Sequence, residues 1–220
     1  MGYKMSNTGC KEKQGVTIDR ILVAALEVFS ESGLEGARID EIAKRAGVNK
    51  AMLYYHIGGK EALYSEVIHQ IIHHAAESIA KNIIETAAPE EKLMTYIRNI
   101  AGIVEENPKI PKLILRELIS GGKNYTEPAI QDIIRILKIV SEILQEGEKK
   151  GVFIETIPVI IHMMTLGVLG FLSISGPLRA RFAFPKEIKM PDAQVAVEEF
   201  EKLVLRSIQQ ERTEQKSLNS

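Results

Sequence analysis

"IDEIAKRAGVNKAMLYYH", residues 39–56, carries two short apolar patterns on either side of Gly47-Val48. Ile39, Ile42, Ala43 and Ala46 recur at intervals of three and four, which sets them on one face of a helix. After the glycine, Val48 and Leu53 give a second short helix, about 49–56, an inward side of its own. Two helices joined by three or four residues with a glycine in the turn form a helix-turn-helix unit. Ala43 is small enough for the two to cross closely. Asn49, Lys50, Ala51, Tyr54, Tyr55 and His56 are left facing outward or to the edge.

Beyond this unit the apolar spacing stays helical and no run alternates like a strand, so the expected class is all-α with about nine helices. A first helix runs from Thr17, as N-cap, to Ser32, with Gly33 as its stop. Lys60 opens a long helix with Leu63, Val67, Ile71, Ala75 and Ile79 at intervals of four. Further helices start at Pro89, Pro111, Pro128 and Pro158, and a last one covers about 192–210. Asn107-Pro108, Gly121-Gly122 and Gly151 separate them. The expected organisation is a disordered leader over 1–15, a helix-turn-helix domain over 16–59 with its motif at about 38–57, a larger helical domain over 60–212, and a frayed tail over 213–220.

With 28 Lys and Arg against 29 Asp and Glu, the chain has no charge excess that names a partner. Its single cysteine, Cys10, excludes an intramolecular disulfide and fits a reducing, cytoplasmic setting. The leader has no apolar core of the kind a secretory signal needs. Residues 157–178, IPVIIHMMTLGVLGFLSISGPL, hold no Asp, Glu, Lys or Arg and approach the roughly 20 residues of a membrane span. Two prolines, three glycines and several hydroxyls argue instead for the centre of a bundle or a subunit interface. No membrane contact is expected. His162, Met163 and Met164 in that run read as core or interface.

The second short helix carries the chemistry. In a helix-turn-helix unit it enters the major groove of duplex DNA. There Asn49 can pair with adenine and Lys50 can meet guanine acceptors. The hydroxyls of Tyr54 and Tyr55, the His56 imidazole and the Lys60 ammonium can hold phosphates, which fixes register without reading sequence. Lys60 also stands at a helix N-terminus, whose free amides attract anions. Catalysis is excluded: no carboxylate is placed to orient His56 and no nucleophile stands beside it. Gly58-Gly59-Lys60 lacks the spacing and the preceding strand of a phosphate loop. His69 and His73 share a helical face, but two imidazoles without carboxylate or thiolate neighbours in the sequence do not make a metal site. No metal or cofactor is expected.

The run "ARIDEIAKRAGVNKAMLYYHIGGKEALY", residues 37–64, closely resembles the TetR family of transcriptional regulators: the AGV turn, the LYYH segment and the KEALY helix start match in register. "NPKIPKLILRELISGG" and "LQEGEKKGVF" resemble segments of the family's more variable C-terminal domain. The resemblance implies DNA contacts at Asn49, Lys50, Ala51 and Met52 in the groove and at Tyr54, Tyr55, His56 and Lys60 on the backbone. Arg38 stands where the family usually has Thr or Ser; it cannot cap the helix but can reach phosphate. Ile57 replaces a commoner Phe, and Gly58-Gly59 a more polar pair, which would let the reading helix pivot.

The resemblance further implies a homodimer on a palindromic double-stranded operator, with its reading helices about one duplex turn, roughly 34 Å, apart. The dimer would form through the last two helices, including Gly167, Gly170, Ile174, Phe200 and Leu203. A small, largely apolar effector would bind among His74, Met94, Tyr125, Met163, Met164 and Phe171 and release a repressor from DNA. A C-terminal domain that binds a protein in place of a small molecule is the alternative.

Overall fold

The computed structural model describes residues 12–182, 185, 187 and 191–210; most of the leader, with Cys10, and the tail lie outside them. Every named element among the described residues is a helix. In chain order these are α1 (Glu12–Gly36), α2 (Ile39–Ala46), α3 (Lys50–Ile57), α4 (Lys60–Asn82), α5 (Pro89–Glu106), α6 (Ile110–Ile119), α7 (Glu127–Lys149), α8 (Pro158–Ile174), α9 (Gly176–Arg181) and α10 (Ala193–Ile208). The short α9 continues α8, so nine helices and one brief extension build the fold.

Most boundaries follow local chemistry. Asn49, Thr126 and Asp192 each accept a hydrogen bond from a backbone N–H in the first turn of the helix that follows, and proline opens α5, α7 and α8. The start of α1 differs from expectation. Thr17 is not a cap: the helix already runs from Glu12, inside the expected leader, and continues through Gly15. Gly33, with φ 72° and ψ 179°, does break it, and Leu34–Gly36 form a further turn beyond the break. Arg116 of α6 docks at this break, its Nη1 donating to the Phe29 carbonyl at 3.0 Å. The carbonyls that lose helical partners at the broken end thus gain a cation.

Two cores meet along α4. The first gathers Ile21, Leu26 and Phe29 of α1, Ile42 of α2 and Leu53 of α3, and it includes Leu63, Tyr64, Val67, Ile68, Ile71 and Ile72 of α4. Ile103, Ile110, Leu113 and Ala129 extend it into the second half of the chain. Residues 16–59 therefore do not close a core alone. The second core holds Ala76 and Ile79 of α4, Tyr96 and Ile97 of α5, Val140 and Leu144 of α7, Ile161 and Leu169 of α8, and Phe200 and Val204 of α10. Phe153, after α7, seals its lower end, where Ile154 N donates to Ile208 O at 2.8 Å and Gln210 N to Val152 O at 3.1 Å.

The uncharged run forms α8 and the start of α9, and the stretch Pro158–Arg181 is long and apolar enough to cross a membrane. Its inner side, Ile161, Thr165 and Leu169, is buried in the second core. Ile160, Met163, Gly167 and Phe171 face outward, Met163 being 63% and Phe171 71% exposed. Leu203 of α10 is exposed as well.

Candidate nucleic-acid interface

The helix-turn-helix folds as its apolar spacing requires. Ile39, Ile42, Ala43 and Ala46 of α2 are buried, and Leu53 alone in α3 is fully inside. Gly47 closes α2 with φ 65° and ψ 37°, the left-handed backbone that glycine adopts without strain. Its N–H and that of Val48 return to the Lys44 and Ala43 carbonyls.

This leaves α3 as an exposed rod end. Asn49, Lys50, Ala51, Met52, Tyr54 and Tyr55 are all exposed, Tyr55 most of all at 84%. His56 is half-buried, its ring edge-on to Tyr55 with centroids 5.3 Å apart. Asn49 is not a free reading group. Its Oδ1 accepts from Met52 N at 2.7 Å and caps α3, which fixes the side chain at the start of the helix and leaves one oxygen lone pair and the amide N–H groups for a base. Lys50 reaches back to Asp40 of α2, Nζ to Oδ1 2.9 Å, and that hydrogen bond raises its pKa.

Arg38 stands at the N-cap of α2 in extended backbone, without a capping bond, and is exposed. Arg45 is committed inward: it donates to both carboxylate oxygens of Glu31 at 2.9 Å and to Glu41 at 2.8 Å, which holds the Glu31 carboxyl below its usual range. Lys60, at the first position of α4, donates to the Glu35 carbonyl at 3.2 Å. Arg38, Lys44 and Lys50 are exposed around the motif, and Lys60 is half-buried beside them.

The glycine pair before α4 divides its roles. Gly58 has φ 93°, a region closed to most side chains, while Gly59 has φ −88° in ordinary extended backbone at the N-cap of α4. Gly58→Ala is expected to cost about 1–2 kcal/mol, and Gly59→Ser to gain a few tenths by adding a cap. Thermal unfolding checks this: Tm should fall by roughly 2–8 °C for the first and change by about 1 °C for the second.

The residues expected to line an effector pocket lie in different surroundings. Met94 is buried in the second core, Tyr125 packs half-buried against the first, and His74 is half-buried, where burial lowers its pKa. Met163, Met164 and Phe171 point away from the interior because the helical phase of α8 turns Ile161, Thr165 and Leu169 inward. His162, by contrast, reaches the core: the Tyr96 hydroxyl meets its Nδ1 at 2.7 Å, and burial lowers the imidazole pKa.

A cavity of about 740 Å³ lies elsewhere, between α5, the α8–α9 junction and the start of α10. Ala101, Val104, Leu169, Leu172 and Val197 line it together with the charged Glu105, Arg179, Asp192 and Glu198 and with Arg98, which is bound through two nitrogens to Glu201. None of the six expected pocket residues contributes.

Of the expected dimer contacts, Gly167 and Leu203 are exposed, and Ile174 is half-buried. Phe200 belongs to the chain's own second core and is 5% exposed, a correction that follows from α10 turning Ala196, Phe200 and Val204 inward. Gly170 is half-buried, and a Cβ there would meet Pro111 at 3.6 Å, an ordinary contact.

A short helix packed on α1 that presents an exposed second helix with cations around it defines a helix-turn-helix DNA-binding protein. Residues 21–67 match the model of the bacterial regulatory proteins of the tetR family. The chain is 30% identical over 151 residues to the HTH-type transcriptional repressor NicS of Pseudomonas putida, across 66% of this chain and 70% of that one. It is 31% identical to the HTH-type transcriptional regulator RutR of Escherichia coli over 60% of this chain and 61% of that one. Among solved structures, the TetR family regulator PfmR of Thermus thermophilus superposes with a TM-score of 0.64 at 27% identity, over 86% of this chain and 98% of that one. The chain belongs to the TetR family and is a DNA-binding transcriptional regulator rather than an enzyme.

Proposed function

We propose that this regulator is a cytoplasmic homodimer that represses transcription from a palindromic operator and is released by a small, largely apolar effector. Asn49, Lys50, Ala51 and Met52 face base edges, and Arg38, Tyr54, Tyr55, His56 and Lys60 hold phosphates. The observation that carries the reading is α4. This one helix starts at the Gly58-Gly59 joint, packs in the first core through Ile72 and enters the second core at Ala76 and Ile79. A shift of its far end therefore reaches the reading helix. An effector changes DNA affinity only by its difference in affinity for the two positions of that helix.

The cavity's volume falls in the range of small-molecule sites, and its apolar wall of Ala101, Val104, Leu169, Leu172 and Val197 faces a charged rim, so it supports an effector with a largely apolar body and a polar group. The outward face of α8 with Leu203 supports a dimer, since an apolar face this continuous is seldom left to water. The same face favours an interface over a membrane span, and soluble dimers without detergent are expected.

Selection of duplexes from a random pool should yield a palindrome, and compounds that release it should identify the effector class. Lys60→Ala is expected to weaken binding to all duplexes and to reduce the slope of log K against log salt by about 0.9. Tyr54→Phe should weaken binding uniformly. Lys50→Ala should change preference at one base pair by about 1–3 kcal/mol. Asp40→Asn frees Lys50 and removes a negative charge, so it should tighten binding. Equal, salt-independent losses from all of these would contradict the assignment.

A further inference from the structure

We infer that His69, His73 and Asp132 form a binding site for a divalent transition metal of the zinc class, bridging α4 and α7. The two histidines lie one turn apart on α4, and the fold brings a carboxylate from 59 residues further along the chain to meet them. Asp132 Oδ2 stands 3.0 Å from His73 Nδ1 and 3.8 Å from His69 Nε2. One ligand atom from each of the three residues lies within 4.8 Å of the others. Ligands about 2.0–2.1 Å from a tetrahedral ion stand roughly 3.3 Å apart, so these separations bracket the required value. The His73 side chain is 42% exposed and has room to turn the remaining distance.

A histidine–carboxylate hydrogen bond between α4 and α7 would explain the 3.0 Å contact by itself. It would not explain the second imidazole aimed at the same oxygen. The orientation of His69 has a further cause: its Nδ1 faces Glu66 Oε2 at 3.7 Å, one turn earlier on α4. Glu66 is itself held by Gln70, whose Nε2 donates to Oε1 at 2.8 Å. At 3.7 Å this contact is longer than a hydrogen bond, and it would have to tighten on metal binding to give the carboxylate–histidine arrangement that metal-bound histidines commonly show. Glu66 is therefore a positioning residue and Asp132 a ligand. Two imidazoles and one carboxylate suit zinc, cobalt or nickel better than calcium or magnesium, which take oxygen ligands. Three protein ligands leave a fourth position open to water or a small anion.

The site is independent of the DNA-binding reading and is tested by the metal alone. Full-length protein titrated with Co²⁺ should develop visible ligand-field absorption that saturates at one ion per chain and is displaced by Zn²⁺. His69→Gln, His73→Gln and Asp132→Asn should each weaken binding at least tenfold, and Glu66→Gln should weaken it about tenfold through the orientation of His69. All four side chains are partly exposed, so the variants are expected to keep the far-ultraviolet circular dichroism of the parent. Zn²⁺ should raise the Tm of the parent and leave that of the His69→Gln/His73→Gln double variant unchanged. The inference is overturned if the parent shows no Co²⁺ spectrum, or if the double variant binds as tightly as the parent. A thiolate charge-transfer band lost in Cys10→Ser would also overturn it, by moving the metal to Cys10.

Discussion

Phe171→Asp is expected to convert the regulator to a monomer and to lower its affinity for a palindromic operator by roughly 10²–10⁴, the range that loss of a linked second binding event produces. Phe171 is 71% exposed in the single chain and stands on the same face of α8 as Ile160, Met163 and Gly167. In the proposed dimer this face lies against its twofold mate, and a carboxylate there would lose its water without gaining a partner. The chain's own core does not use the side chain, so folding should be little affected. Sedimentation or light scattering would report the change in mass, and a binding titration the loss of affinity. A variant that remains dimeric would move the interface away from α8.

The second large effect is expected at Gly147, and it sets two forces against each other. An alanine in a helix interior normally gains about 0.5–1 kcal/mol over glycine. Gly147 is buried in α7 under the ring of Phe153, and a Cβ there would sit 2.6 Å from Cγ and nearer still to Cδ2. Phe153 cannot yield easily, being 1% exposed and flanked by the hydrogen bonds that tie residues 152–154 to the end of α10. Overpacking of this kind costs about 1–3 kcal/mol, occasionally more, so the clash outweighs the helical gain. Gly147→Ala should lower Tm by several degrees. A rise in Tm would mean that helix propensity wins and that the ring moves freely.

The helices of this fold were legible because their ends carry local chemistry. Gly47, Asn49, Pro89, Thr126 and Asp192 act within a turn of their own position, and the bounds of α2 and α5 follow from sequence without change. The outward surface of α3 was legible for the same reason: a helix of eight residues with Leu53 inside leaves little choice for the others. What failed was helical phase in segments without charge. Along α8, Ile161 and Ile160 look alike, and only the neighbours of the helix decide which faces inward. Met163, Met164 and Phe171, read as pocket residues, point outward there, and Phe200, read as an interface residue, turns into the chain's own core on α10.

Contacts between distant segments were equally silent. Nothing near Gly33 announces that Arg116 will close the break in α1, and nothing near His69 announces Asp132. Asn49 shows a subtler limit. Its type fits both base recognition and capping, and the structure gives its carbonyl oxygen to the cap.

The sharing of α4 between two cores bears on how reading heads can be exchanged among relatives. A graft cut at residue 59 would carry α1, α2 and α3 without Leu63, Tyr64, Val67 and Ile68, which fill the middle of the first core. Such a chimera would set a foreign α4 against a native α1, and the ring of Phe29, edge-on to Tyr64 at 4.9 Å, would lose its mate. The smallest transplantable unit runs to about Ile72. Even that piece expects a cation in the place of Arg116 from its new host, so a working transplant carries Leu63–Ile72, a stretch of helix whose apolar side chains are spent on the core.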